Sequence, residues 1–207
     1  MPMSDALPMF PLGSVLFPNA VLPLHVFEPR YREMTERCLA GDREFGVVLI
    51  ERGHEVGGGD ARFEIGTVAR IVQAGQLEDG RWVLVNVGIQ RLRVLEWLPD
   101  DPYPQARVER LRDEPGTPAD GEVAVVEALL RRTLAMHVEL GDLSAPLEIA
   151  LDADPVQASF EASAIAPIGP LDAQRLLEVD TASDRLTQLE AMLTEECAVL
   201  ELRLSGE

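Results

Sequence analysis

The hydrophobic period of this chain changes once, near residue 113, and no other feature restricts its fold as much. Before that point apolar residues come in strand-length runs: Phe45 to Glu51 (FGVVLIE), Phe63 to Ala74, Arg81 to Trp97 and Tyr103 to Leu111. After it they recur every three or four residues, at Val126, Leu129, Leu130, Thr133 and His137, and again at Ala182, Leu186, Leu189, Leu193, Cys197, Leu200 and Leu204. Alternation marks strands and a period near 3.6 marks helices, so strands precede helices, the order of an α+β chain. The polar stretch Asp113 to Asp120 (DEPGTPAD) lies between them. Residues 7–112 are predicted to form a β subdomain, 113–120 a linker and 121–204 a small acidic helical bundle.

Within the first part, Pro8, Pro11, Pro18 and Pro23 cut the opening segment into short extended pieces, because proline pushes its predecessor toward the extended region. Pro29 then suits a first helical position, with Tyr31, Met34, Thr35, Cys38 and Leu39 following at helical spacing until Gly41. Phe27 is assigned to the core. Val83, Val85, Val87 and Ile89 share one strand parity, while Leu92 and Val94 share the other. A bulge or bend at Gly88 is expected to change the face of this long strand. Gly53 to Asp60 reads as a flexible connection, Pro155 to Ile165 as a further segment of the second part and Leu171 to Val179 as a short helix.

Charge narrows the possible partners. The formal net charge is −18, and 20 acids against 5 arginines lie in residues 113–207, compared with 16 against 13 in residues 1–112. Such a surface repels phosphate backbones and anionic membranes, so neither is an expected partner. All 18 basic residues are arginine. Without lysine the chain has no P-loop lysine, no Schiff-base lysine and no serine–lysine pair. Cys38 and Cys197 are too few and too far apart for a disulfide framework. The first apolar run has no preceding basic residue and is broken by prolines, unlike a signal peptide or a spanning helix. A cytoplasmic location is expected.

A search for chemistry finds little. His25, His54 and His137 have no metal-ligand spacing, Gly57-Gly58-Gly59 lacks a phosphate-loop lysine, and Ser14 lacks a nucleophile elbow. Asp100-Asp101 and Glu195-Glu196 read as solvated turn and helix faces. No metal, cofactor or catalytic residue is predicted. Arg30, Arg32, Arg91, Arg93, Arg107, Arg110 and Arg112 could gather an anion or acidic peptide, with Arg91 and Arg93 on one strand face. Ion pairing to Glu28, Glu33, Glu96, Glu109 and the acidic second half competes with that reading. Trp82, Trp97 and Tyr103 are candidate polypeptide contacts, large aromatics being equally at home in a core.

Met9 to Leu39 (MFPLGSVLFPNAVLPLHVFEPRYREMTERCL) resembles the start of the substrate-binding domain of the Lon protease family, and PLHVFEPRY at 23–31 is similar to Lon-domain RING-finger proteins. FGVVLIERG at 45–53, EIGTVARIVQAGQLEDGRWVLVNVGIQRLRV at 64–94 and the helical pattern at 152–193 extend the resemblance over roughly residues 7 to 204. It implies a PUA-like, six-stranded β pseudo-barrel with one helix, followed by a small α-helical bundle. It further implies a free-standing, non-catalytic polypeptide-binding or adaptor module without ATPase and protease modules. The implied partners are unfolded or loosely folded polypeptides and a cellular ATPase-protease. RNA or small-ligand binding by the PUA-like barrel is the alternative, against which the acidity weighs.

Overall fold

The computed structural model describes residues 6–52, 61–117, 121–142 and 149–205. His54, the glycine run at 57–59 and the last linker residues, 118–120, lie outside the described residues. By their contacts the residues divide into one compact unit ending at Arg112 and another beginning at Asp113.

The first unit contains β1 (Leu7–Leu12), β2 (Val21–Val26), α1 (Pro29–Ala40), β3 (Glu44–Arg52), β4 (Ala61–Gln76), β5 (Trp82–Leu98) and β6 (Gln105–Arg110). The sheet order is β2-β5-β4-β3-β1-β6, and β6 also pairs with β5. Five strands therefore close a ring, and β2 is added outside it. β1 and β3 run parallel; the other pairs are antiparallel.

β5 makes the closure possible because two strands share its one edge. Residues 82–87 pair with β2, and residues 92–98 pair with β6. Between them the register against β4 slips, from Val68 opposite Gln90 to Ala69 opposite Gly88, leaving Ile89 as the extra residue of a bulge. The bulge turns the strand over. Leu84 packs with Ala69 and Ile71 in one core cluster, whereas Leu92 and Val94 pack with Met9, Val48 and Val68 in another. Backbone approaches closely here: Asn19 N–H donates to the Gly88 carbonyl at 2.8 Å, and Gly88 N–H donates to that of Ala20 at 3.0 Å. A Cβ at Gly88 would collide with the Phe17 carbonyl oxygen, so this crossing requires glycine.

The expected change of face thus occurs at Gly88, but with the opposite sense in its first half. Leu84 and Asn86 point inward at 1% and 0% exposure, while Val83 points outward. α1 covers the first cluster with Tyr31, Met34, Thr35 and Cys38, one helical face. Tyr31 stacks on Phe10 at 4.1 Å between ring centroids.

The second unit holds α2 (Glu122–Leu140), α3 (Pro155–Ile165), α4 (Pro170–Glu178) and α5 (Ala182–Ser205). Prolines open α3 and α4, and the Asp154 carboxylate caps α3 by accepting from Val156 N–H at 2.9 Å. The segment at 155–165 is thus a helix, and the short helix predicted at 171–179 occupies 170–178. α2 buries Val126, Leu130, Thr133 and His137, then ends at Gly141 with φ +78°, a left-handed closure. The α5 seam is buried from Ala182 through Leu200, whereas Leu204 is exposed.

Arg185 is entirely buried in the helical unit. It donates to the carbonyls of Leu176 and Val179 and to Ser159 Oγ, at 3.0, 2.7 and 2.7 Å, and its guanidinium lies over the Phe160 ring. It satisfies acceptors from α3 and the α4 end at once, which offsets the cost of burying its charge.

Candidate functional site

The side of the sheet opposite the first cluster is apolar where an outer face is ordinarily polar. Cross-strand pairs define it: Val21 opposite Val87, Pro23 opposite Val85, and His25 opposite Val83 between β2 and β5. On β4, Gln73 stands opposite Val85 and Gly75 opposite Val83. The register slip between Ile71 and Gln73 leaves Val72 unpaired and 50% exposed. Val21 and Val83 are 64% and 47% exposed, and Pro23 and His25 are also exposed. Phe27 continues the same parity just beyond β2 and is 53% exposed. This corrects its assignment to the core: Val26 takes the inward position opposite Trp82, and the next side chain faces solvent.

Three strands thus carry neighbouring solvated apolar side chains across one surface. Such a patch marks a contact surface more often than an isolated exposed residue does. At half exposure, each valine has roughly 1 kcal/mol to gain from being covered.

The three aromatic candidates occupy different environments. Tyr103 is 1% exposed within the first cluster, and a ring enclosed there has no surface to offer a client. Trp82 is half-buried against the same cluster, with its indole N–H enclosed. Trp97 is half-buried against the second cluster beneath Arg62, 4.5 Å from the ring centroid. These rings do not assemble into one site.

The arginines are engaged mostly with nearby acids. Glu28 holds Arg30 at 3.1 Å, Arg107 pairs with Glu96, and Arg93 lies 3.9 Å from Glu109. Arg91 is 1% exposed. The pair Arg91 and Arg93 therefore offers solvent one guanidinium rather than two, because the inner member is covered. Glu44 joins Arg70 and Arg110, one to each carboxylate oxygen. Burial alone would raise this carboxyl, but hydrogen bonds from Arg110 and Arg70 outweigh it and hold it below the ordinary value.

Glu44 and Arg110 line a cleft of about 460 Å³ with Cys38 and Asp42. Cys38 is a poor nucleophile there: burial pushes its thiol up to about 12, with Arg37 opposing weakly. Of the histidines, His25 sits on the outer sheet face, and His137 lies between Asp142 and Glu196, at 3.5 and 3.2 Å. Among the described residues no three His, Cys, Asp or Glu side chains gather as a metal set. Nor is any described helix long and apolar enough to cross a membrane.

The family model for the ATP-dependent protease La (LON) substrate-binding domain matches residues 6–195. Lon protease 2 of Herpetosiphon aurantiacus is 31% identical over 95% of this chain, and the Lon protease of Trichlorobacter lovleyi is 28% identical over 96%. The chain spans about a quarter of those relatives, 24% and 25% of their lengths. The crystal structure of a Lon N-terminal domain protein from Xanthomonas campestris superposes with a TM-score of 0.68 at 28% identity, covering 90% of this chain and 98% of that one. The N-terminal domain of Mycobacterium avium complex Lon protease, at 17% identity and a TM-score of 0.60, covers 92% of this chain and 98% of its own, and shares the fold.

Proposed function

The chain belongs to the LON substrate-binding domain family, and on that premise we propose that it reversibly and non-catalytically binds apolar segments of unfolded or loosely folded polypeptides. The observation that carries the reading is the row of exposed valines and Pro23 across β2, β5 and β4. A folded protein hides its apolar segments; an unfolded one offers them, so an apolar patch distinguishes folding states without reading a particular sequence. Trp82 and Trp97, each partly accessible, are proposed as flanking contacts. The PUA-like architecture, a cytoplasmic location and delivery of bound clients to an ATPase-protease belong to the same reading. The relatives' printed name, Lon protease, supports the last of these.

The test is titration of this chain with a permanently unfolded, alkylated protein carrying a fluorescent label. A saturable complex is expected. Changing both Val21 and Val83 to Asp should weaken it tenfold or more, since about 1.4 kcal/mol is one decade in affinity. Both side chains are exposed, so an unchanged circular dichroism spectrum identifies folded variants. No saturable complex, or affinity unaffected by the double change, overturns the reading.

A further inference from the structure

Along β2 and just past it, the outward positions are Val21, Pro23, His25 and Phe27, all exposed. His25 alone among them can carry a charge. It stands opposite Val83, which in turn stands opposite Gly75 on β4. A Cβ at Gly75 would have no described atom within 4 Å, so the space over β4 at that level is open. A segment lying along the row from Pro23 to Phe27 must pass over the imidazole.

No opposite charge stands ready for a proton on that ring. Among the described residues His25 makes no hydrogen bond or ion pair. On β5 it faces Val83, with Val85 on the diagonal; on its own strand Pro23 and Phe27 flank it, and β4 presents Gly75 and Gln73 beyond. α1 covers the other face of the sheet. The charges around this group are engaged with one another. Glu28, after Phe27, holds Arg30 at 3.1 Å, and Arg81, just before β5, is bound to Asp79 at 2.6 Å, with Arg32 reaching the Gly80 turn beside them. Arg70, opposite Val87, is tied to Glu44. Glu78 lies in the turn between β4 and β5.

In water either form of the ring is hydrated. Under an apolar segment the neutral ring loses only water contacts, whereas the protonated ring loses the hydration of a full charge and gains no acid in exchange, a far larger cost. We propose that His25 makes the exposed patch release its clients on protonation. Neutral, it lets an apolar segment lie across Pro23, Val83 and Phe27; protonated, it drives the segment off. The inference rests on the polypeptide-binding reading and adds the regulation of the same surface. Histidine changes charge between about pH 5 and 8, so capture is strong on the alkaline side of that range and is lost as pH falls through it. By linkage, a bound segment makes the ring harder to protonate.

The test uses the whole chain and a terminally blocked peptide of valine, leucine and serine, carrying a dye that does not titrate in this range. Fluorescence anisotropy should show binding about fivefold weaker at about pH 5.5 than at about pH 8. His25→Gln, neutral at both values, should change by less than about twofold over the same interval, and His25→Thr, which suits a strand, repeats the comparison with a second side chain. Far-UV circular dichroism at each pH identifies folded protein. In the wild type, saturating peptide should also move the titration of the His25 ring proton, followed by nuclear magnetic resonance, to lower pH. An unmoved ring titration, or a pH dependence shared by wild type and both variants, overturns this inference and leaves the polypeptide-binding reading standing. No saturable binding by the wild type at either pH overturns both.

Discussion

The barrel and the helical unit handle charge in opposite ways. In the barrel, arginine and acid meet across neighbouring strands, Glu44 with Arg70 and Arg110 and Glu96 with Arg107, and Arg62 lies 3.5 Å from Asp100 just beyond β5. Charge there helps hold register, leaving the outer face near β2 free to be apolar. In the helical unit, Arg131, Arg132, Arg175 and Arg203 are tied to acids at the surface, and one arginine serves the interior. The contrast teaches that net charge reveals little about where a cation matters. Arg185 binds neutral acceptors in the more acidic half, whereas Arg110 fixes a carboxylate in the nearly balanced half.

Both tryptophans lie in β5, and α2 to α5 contain most of the helix, so fluorescence and far-UV circular dichroism can follow the two units in one chain. The largest effect is expected from Arg185→Ala. Two carbonyls and a hydroxyl lose a donor, at about 1–3 kcal/mol for each unsatisfied group, and the dichroism-detected stability should fall by about 4 kcal/mol. An unchanged midpoint would deny the interior cation its structural part.

Gly88→Val should come next, with a loss of about 3 kcal/mol in the fluorescence transition because the Cβ must displace backbone rather than a flexible side chain. A loss below about 0.5 kcal/mol, the scatter of ordinary surface changes, would break the claim that the strand crossing demands glycine. Asp154→Ala should cost about 1 kcal/mol through the α3 cap, visible by dichroism. Wild-type stability there would show that backbone and solvent satisfy the helix start unaided.

The smallest effect concerns acid. Since the folded-state pKa of Glu44 is lowered, its stabilisation is present above the ordinary carboxylate range and disappears as pH falls through the folded value. Glu44→Gln should therefore flatten the acid side of the fluorescence-detected stability curve. Equal pH dependence in the two proteins would remove this ion cluster from the comparison.

Much of the architecture was legible because its causes are local. The change of period separates the strands of the first part from the helices of the second, Pro29 starts α1, and the α5 spacing traces its buried seam to Leu200. The orientation of β5 was less legible because alternation distinguishes two faces without saying which will be covered. Here the covered row contains Asn86, whose amide donates to the Leu22 carbonyl at 2.9 Å, while the uncovered row contains valines. That reversal hid the exposed patch. Tyr103, Arg91 and Arg185 show the complementary limit: size or charge alone does not reveal enclosure, which is set by residues distant in sequence.

Pro23 has a consequence for the proposed binding of unfolded chains. Among the described residues β2 pairs with β5 alone. The Ala20–Gly88 hydrogen bond and antiparallel alternation turn the main-chain groups of Val21, Pro23 and His25 outward. An aggregation-prone client reaching that rim finds no amide hydrogen at its middle position and cannot extend the ladder without a gap. Side chains can hold such a client while the main chain refuses to template its growth, so capture remains distinct from co-aggregation.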